Sequence, residues 1–205
     1  HILRLDAAKE RTLVEVEEWD EDKIEAFQSD RTYKDYEHRL VNLVKRTSQD
    51  ATAVDQAMKV FDEMFQAFFV TDDSRLWPDT NIYNLLLQAF CYSRQNDASV
   101  VAQDIFNRMK DLNGMSSARP NTETYKILMD VYVQRGNLEK VQEIFEEFPD
   151  EPTVELYNKL IQAHGKLGSA ERALEIVKGM NAPNTKTWLQ VLRAFAVRKD
   201  LETVQ

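Results

Sequence analysis

Residue types able to carry bond-making chemistry are sparse in this chain. It holds one cysteine, Cys91, and three histidines, His1, His38 and His164. Cys91 adjoins Phe90 in an apolar helical stripe with no histidine in evident reach, so it reads as a structural thiol and not a nucleophile. A single cysteine also excludes an internal disulfide framework and a multi-cysteine metal site. His38 has no His, Cys or acid cluster at metal-ligand spacing. His164 takes the helical offset that Phe90, Tyr132 and Phe195 take in similar segments, which makes it a packed, hydrogen-bonded core residue. No glycine-rich phosphate loop, catalytic triad or paired-cysteine deaminase pattern occurs. The expectation is a non-enzyme with no cofactor and no metal.

The elements that position these residues repeat. Four aromatics, Tyr83, Tyr125, Tyr157 and Trp188, open similar segments at separations of 42, 32 and 31 residues. Each follows a breaker pair: Pro78-Asp79, Pro120-Asn121, Pro152-Thr153 and Pro183-Asn184. Proline stops one helix, and the Asp, Asn or Thr behind it can cap the next through its side-chain oxygen. Apolar residues then recur at i, i+3, i+4, i+7, one face of an α-helix. The stripes are Tyr83, Leu86, Leu87, Phe90; Tyr125, Leu128, Met129, Tyr132; Tyr157, Leu160, Ile161, His164; and Trp188, Val191, Leu192, Phe195.

Gly136 and Gly168 each lie eleven residues after their aromatic, where a left-handed C-cap is expected. A second stripe follows: Val141, Ile144, Phe145, Phe148 in one segment and Ala173, Ile176, Val177, Met180 in the next. Ala102, Ile105, Phe106, Met109 and Ala57, Val60, Phe61, Met64 repeat the pattern. Each unit is thus a helix, a turn and a helix. Such a hairpin cannot bury its apolar face alone, so neighbours must stack into a continuous core. The units are 80–121, 122–153, 154–184 and a partial one at 185–205, whose second helix is only beginning at Gln205. A degenerate unit at 33–79 precedes them, with Tyr36, Leu40 and Leu43 in its first helix and 50–68 as its second. It is stretched by Phe69–Trp77, where Asp72, Asp73 and Ser74 mark a loop. The turn Arg94–Ser99 and the polar loop Asn113–Arg119 are insertions.

Charge is uneven. Residues 1–79 carry eleven basic and nineteen acidic residues, and residues 80–205 carry fifteen and sixteen. The repeat region is therefore nearly neutral, which neither demands nor forbids a nucleic-acid partner. Residues 1–32 form an acidic helical or linker segment, where Leu13, Val16 and Trp19 could make a short stripe. No apolar run is long enough to span a bilayer. Starting at His1 and stopping inside a unit, the chain reads as an internal fragment.

Taken together, Tyr125-Lys126-Ile127-Leu128-Met129, Gly136-Asn137-Leu138-Glu139, Val141 and Phe145 resemble a pentatricopeptide repeat. So do Tyr157-Asn158-Lys159-Leu160-Ile161 with Gly168, Ala173 and Met180, and Tyr83-Asn84-Leu85-Leu86 with Ala102, Phe106 and Met109. The likeness covers residues 78–184 most clearly. The tetratricopeptide pattern wants a glycine step before the Tyr, whereas these helices open right after the Pro break. The resemblance implies an all-α, right-handed α-solenoid of helix–turn–helix repeats. It also implies a single-stranded RNA partner read one nucleotide per repeat, and organellar RNA processing, stability or translation in mitochondrion or plastid.

Carried over from the family, the residue after the opening aromatic and the last residue of the unit face the base edge. These are Asn84 with Asn121 and Asn158 with Asn184, pairs that resemble a pyrimidine reader. The unit at Tyr125 would use Lys126 and Thr153, the early unit Glu37 and Asp79, and the last Leu189. Lys166 matches a position near phosphate, with a solvated surface lysine as the alternative. Two residues before each aromatic the family has an apolar residue that sandwiches the base. This chain has Asn81, Glu123, Glu155 and Lys186 there, and the two glutamates would repel a phosphate chain. That departure supports a second expectation, a protein-interaction subunit of an organellar ribosome or other large complex.

Overall fold

The computed structural model describes residues 31–111, 116–167 and 169–203. The expected stripe at Leu13, Val16 and Trp19, the cap at Gly168 and the start of the loop at Asn113 lie outside the described residues. Among those described there are nine α-helices and no strand. They are α1 (Tyr33–Arg46), α2 (Thr52–Thr71), α3 (Thr80–Tyr92), α4 (Ala98–Asp111), α5 (Thr122–Gln134), α6 (Leu138–Glu146), α7 (Val154–Lys166), α8 (Ala170–Lys178) and α9 (Thr185–Thr203). Short 3-10 turns occur at Ser74–Leu76 and Ser116–Ala118.

Local chemistry sets the helix ends. Asp79 Oδ1 accepts from the Ile82 amide at 3.1 Å, Asn121 Oδ1 from Thr124 at 3.0 Å, and Asn184 Oδ1 from Thr187 at 2.9 Å. Thr153 Oγ1 does the same for Leu156 at 3.4 Å. Each cap satisfies one amide that has no partner inside its helix. At the end of α5, Gly136 adopts φ +70°. Its amide bonds to the Val133 carbonyl and that of Asn137 to Tyr132, the double bond of a left-handed C-cap. A side chain with Cβ would be strained at this φ.

α1, α3, α5, α7 and α9 lead the hairpins. α1, α3, α5 and α7 each pack against the next leading helix, and α3, α5, α7 and α9 each also pack against the second helix of the preceding hairpin. This is the continuous stacking expected of a solenoid. Leu86, Leu87, Leu128, Met129 and Ile161 are fully buried, each contributing roughly 1.5–3 kcal/mol. Three of the four opening aromatics, Tyr83, Tyr125 and Tyr157, form a regular row. Tyr83 meets Phe61 edge-on with centroids 5.1 Å apart, Tyr125 meets Phe106 at 5.1 Å, and Tyr157 meets Phe145 at 5.0 Å. Every such phenylalanine belongs to the second helix of the preceding hairpin. Edge-to-face geometry places the positive ring edge on a negative ring face.

Three details differ from the sequence reading. α2 runs on through Phe69 to Thr71, and the chain turns only at Asp72, φ +52°. No breaker precedes that residue. α6 ends at Glu146, before the stripe residue Phe148, because Pro149 disfavours helical geometry in the residue before it. Phe148 still packs edge-on against Tyr125, centroids 5.0 Å apart.

The last stripe is the third. Val191 and Ala194 are buried, but Trp188 is 47 % exposed, Leu192 67 % and Phe195 38 %. The α8 residue corresponding to Phe145 is Val177, which offers Trp188 no ring. In the earlier hairpins a second helix covers this side of the leading helix, and no described element covers it on α9.

The insertion before α5 is stapled in place. Thr80 Oγ1 lies 2.7 Å from the Arg119 carbonyl and 3.0 Å from that of Ser117. Ser117 and Arg119 are thereby held against the first turn of α3.

Candidate nucleic-acid interface

The first turns of the leading helices lie side by side along one edge. They bring together the residue after each aromatic and the cap of the following helix. At Tyr83 this juxtaposition is a hydrogen-bonded one. Asn84 Nδ2 donates to Asn121 Oδ1 at 3.4 Å, and Thr124 Oγ1 donates to Asn84 Oδ1 at 2.7 Å. Asn84 is 7 % exposed, whereas Asn121 stays at the surface.

Asn158 and Asn184 occupy the corresponding positions, but no hydrogen bond joins them. Asn158 is buried, and its Oδ1 has no partner among the described residues. Asn184 caps α9 and takes the Thr187 hydroxyl at 3.0 Å. Lys126 is not bonded to Thr153. Its Nζ lies 2.6 Å from Glu123 and 2.9 Å from Glu155, bridging one hairpin to the next. Burial works against the Lys126 charge, but the hydrogen bonds it donates to Glu123 and Glu155 outweigh this and hold the ammonium above the usual lysine value. The same contact holds the Glu155 carboxyl below the usual range. The two glutamates expected to repel phosphate are thus partly neutralised from within the fold.

Further polar groups were not foreseen. Lys159 Nζ lies 2.5 Å from Asp130 Oδ2, a second bridge between leading helices. In the early unit, Asn81 Nδ2 donates to Glu37 at 2.7 Å and the Tyr33 hydroxyl donates to Asp79 at 2.9 Å. Burial, chiefly, pushes the Tyr33 phenol up to about 12. Thr124 and Thr187 carried a signal that could have found them: Asn-Thr-x-Thr recurs at 121–124 and 184–187.

Lys166 is the exposed last residue of α7 and forms no ion pair with any described residue. His164 is buried, with Nε2 3.3 Å from Gln142 Nε2 and Nδ1 unpartnered among the described residues. Burial, then the Arg172 charge, pulls its imidazole below the ordinary value. Cys91 is buried, and burial pushes its thiol up to about 12, so the nucleophilic thiolate is suppressed. No group of three or more His, Cys, Asp or Glu among the described residues could hold a metal ion.

Comparison with known families decides what this stack is. The PPR repeat matches residues 123–151 and 155–182, and the pentatricopeptide repeat domain matches residues 71–135. The chain belongs to the pentatricopeptide-repeat family. A chloroplastic pentatricopeptide repeat-containing protein of Arabidopsis thaliana is 27 % identical over 96 residues, 47 % of this chain and 16 % of that protein. The chloroplastic PPR5 homolog of Oryza sativa subsp. japonica is 28 % identical over 115 residues, 56 % of this chain and 20 % of its own length. A mitochondrial member from Arabidopsis thaliana is 25 % identical over 115 residues, covering 54 % and 17 %. The matches thus span a fifth or less of these pentatricopeptide-repeat relatives. An organellar location, mitochondrion or plastid, follows from them. At the level of the family this is an RNA-related helical-repeat protein, of a kind generally without enzymatic activity.

Proposed function

We propose that the chain binds single-stranded RNA along the edge formed by its leading helices, and serves organellar RNA processing, stability or translation. The observation that supports this most is the contact of Asn84 with Asn121, the two positions from which the family reads a base. Amides offer both donors and an acceptor to a base edge. Asn158 with Asn184 forms a second reading position, and Lys126 with Thr153 a weaker one. Lys166 meets phosphate. In this reading the hairpins act as units 80–121, 122–153, 154–184 and 185–205, after a degenerate unit at 33–79 and the acidic segment 1–32.

The test is a titration of the whole chain against a pool of short single-stranded RNAs at several salt concentrations. Salt-sensitive binding that favours pyrimidines, and that fails when Asn84 and Asn158 are both changed to Ala, is the expected result. No salt-sensitive binding to any pool would overturn the proposal.

One observation favours a second reading, a protein-interaction surface in a larger assembly. Lys126 and Lys159 spend their charge on Glu123, Glu155 and Asp130. Stoichiometric protein partners that survive ribonuclease and high salt would favour it. No described helix is long and apolar enough to cross a membrane.

A further inference from the structure

The two asparagine pairs are chemically unequal, and the difference lies in a third residue. Around Asn84 the polar atoms close into a ring. The Asn121 backbone N–H donates to Thr124 Oγ1 at 3.1 Å, and Thr124 Oγ1 donates to Asn84 Oδ1 at 2.7 Å. Asn84 Nδ2 returns a hydrogen bond to Asn121 Oδ1. The Thr124 hydroxyl has one proton and two oxygens in reach, Asn121 Oδ1 at 3.1 Å being the more distant. The shorter bond therefore takes it.

This bond fixes which way the Asn84 amide points. An amide turned by half a rotation exchanges its acceptor for its donors. With Oδ1 held by Thr124, Asn84 keeps its second N–H for a ligand, and the exposed amide of Asn121 adds two more donors. That set matches the carbonyl O2 shared by uracil and cytosine. Around Asn158 the ring is open, because the Thr187 hydroxyl bonds to Asn184.

The sequence repeats the association. Asn84 and Asn158 are each followed in the next unit by a threonine just before the aromatic, Thr124 and Thr187. The charged Glu37 and Lys126 are instead followed by Ile82 and Leu156.

We infer that Thr124 is a positioning residue that orients the Asn84 amide and thereby sets the pyrimidine preference of this unit. The inference rests on the RNA reading proposed above. Affinities for uracil-only, cytosine-only and adenine-only octamers are to be measured on the full chain, for wild type, Thr124→Val, Thr124→Ser and Thr187→Val. Ile82 and Leu156 are tolerated at this position, so Thr124→Val is compatible with the fold. Thr124→Ala repeats the test without the branched bulk.

The ratio of pyrimidine to adenine affinity should fall roughly three- to tenfold in Thr124→Val, the worth of one hydrogen bond. It should hold in Thr124→Ser and Thr187→Val. An unchanged ratio in Thr124→Val and Thr124→Ala, or an equal fall in Thr187→Val, would overturn the inference. The latter result would mean the threonines act only as helix caps. Hydrogen exchange of the Asn84 side-chain amide, followed by NMR without RNA, tests the orientation separately. Protection in wild type and Thr124→Ser but not in Thr124→Val supports it, and equal exchange in all three overturns it. Absence of RNA binding by wild type with protection intact would instead remove the RNA reading, and with it the role in base preference.

Discussion

Lys126 Nζ lies 2.9 Å from Glu155 Oε2, an ion pair that joins the first turns of α5 and α7. Glu155 stands where the family has an apolar residue beside the base, so its charge opposes a phosphate chain. Glu155→Gln removes that charge and releases Lys126 from one of its two acids. RNA affinity should rise and its salt dependence should steepen by about one counterion. Stability should change little, since an exposed pair is worth ~0.2–1 kcal/mol. Fluorescence anisotropy at several salt concentrations and a thermal melt check both. Unchanged affinity and slope would mean RNA does not pass this point.

Asp62 carries a stability cost that depends on pH. It sits on α2 against α4, near Asp104 and Arg108. Burial raises its pKa from 3.8 to about 6, and the Arg108 charge only partly offsets this. The folded chain thus binds the proton more tightly than the unfolded one. The cost is fully present above about pH 6 and gone below about pH 4. Allowing for solvent screening at this half-buried position, it amounts to roughly 1–2 kcal/mol. Asp62→Asn should raise the urea midpoint at pH 7 and have no effect at pH 4. An equal effect at both values would contradict the assignment.

Gly165 of α7 packs directly against Ala194 of α9. A Cβ on Gly165 would lie 2.7 Å from Ala194 Cβ and 3.2 Å from its Cα. Gly165→Ala should destabilise by roughly 1–3 kcal/mol as α9 is pushed outward, despite the better helix propensity of alanine. Ala194→Gly in the same chain should recover part of that loss. A denaturation midpoint unmoved by Gly165→Ala would show the interface to be more pliable than its geometry.

Much of this architecture was legible in the chain because its causes are local. Asn121 caps α5 through the Thr124 amide three residues on, Gly136 supplies a left-handed turn, and Tyr125, Leu128, Met129 and Tyr132 share one helical face. Pro120 follows the end of α4 at Asp111 by nine residues and so does not stop that helix. The spacing of Phe148 predicts a helical residue, and Pro149 ends the helix before it. The candidate site was less legible because its contacts are remote in sequence. Thr124 and Asn84 are 40 residues apart, and Lys159 and Asp130 are 29 apart. Spacing alone cannot tell whether Lys126 faces a base, a phosphate or Glu155. Trp188 has the pattern of a core aromatic, and only its surroundings leave it half exposed.

The measurement that bears most directly on the central claim is backbone hydrogen exchange of the whole chain with and without a saturating pyrimidine octamer. Slowed exchange in the first turns of α3, α5 and α7, at residues 80–85, 122–127 and 154–159, is predicted, with α4, α6 and α8 unchanged. Protection confined to those second helices, or no protection anywhere, would contradict RNA binding along the leading-helix edge.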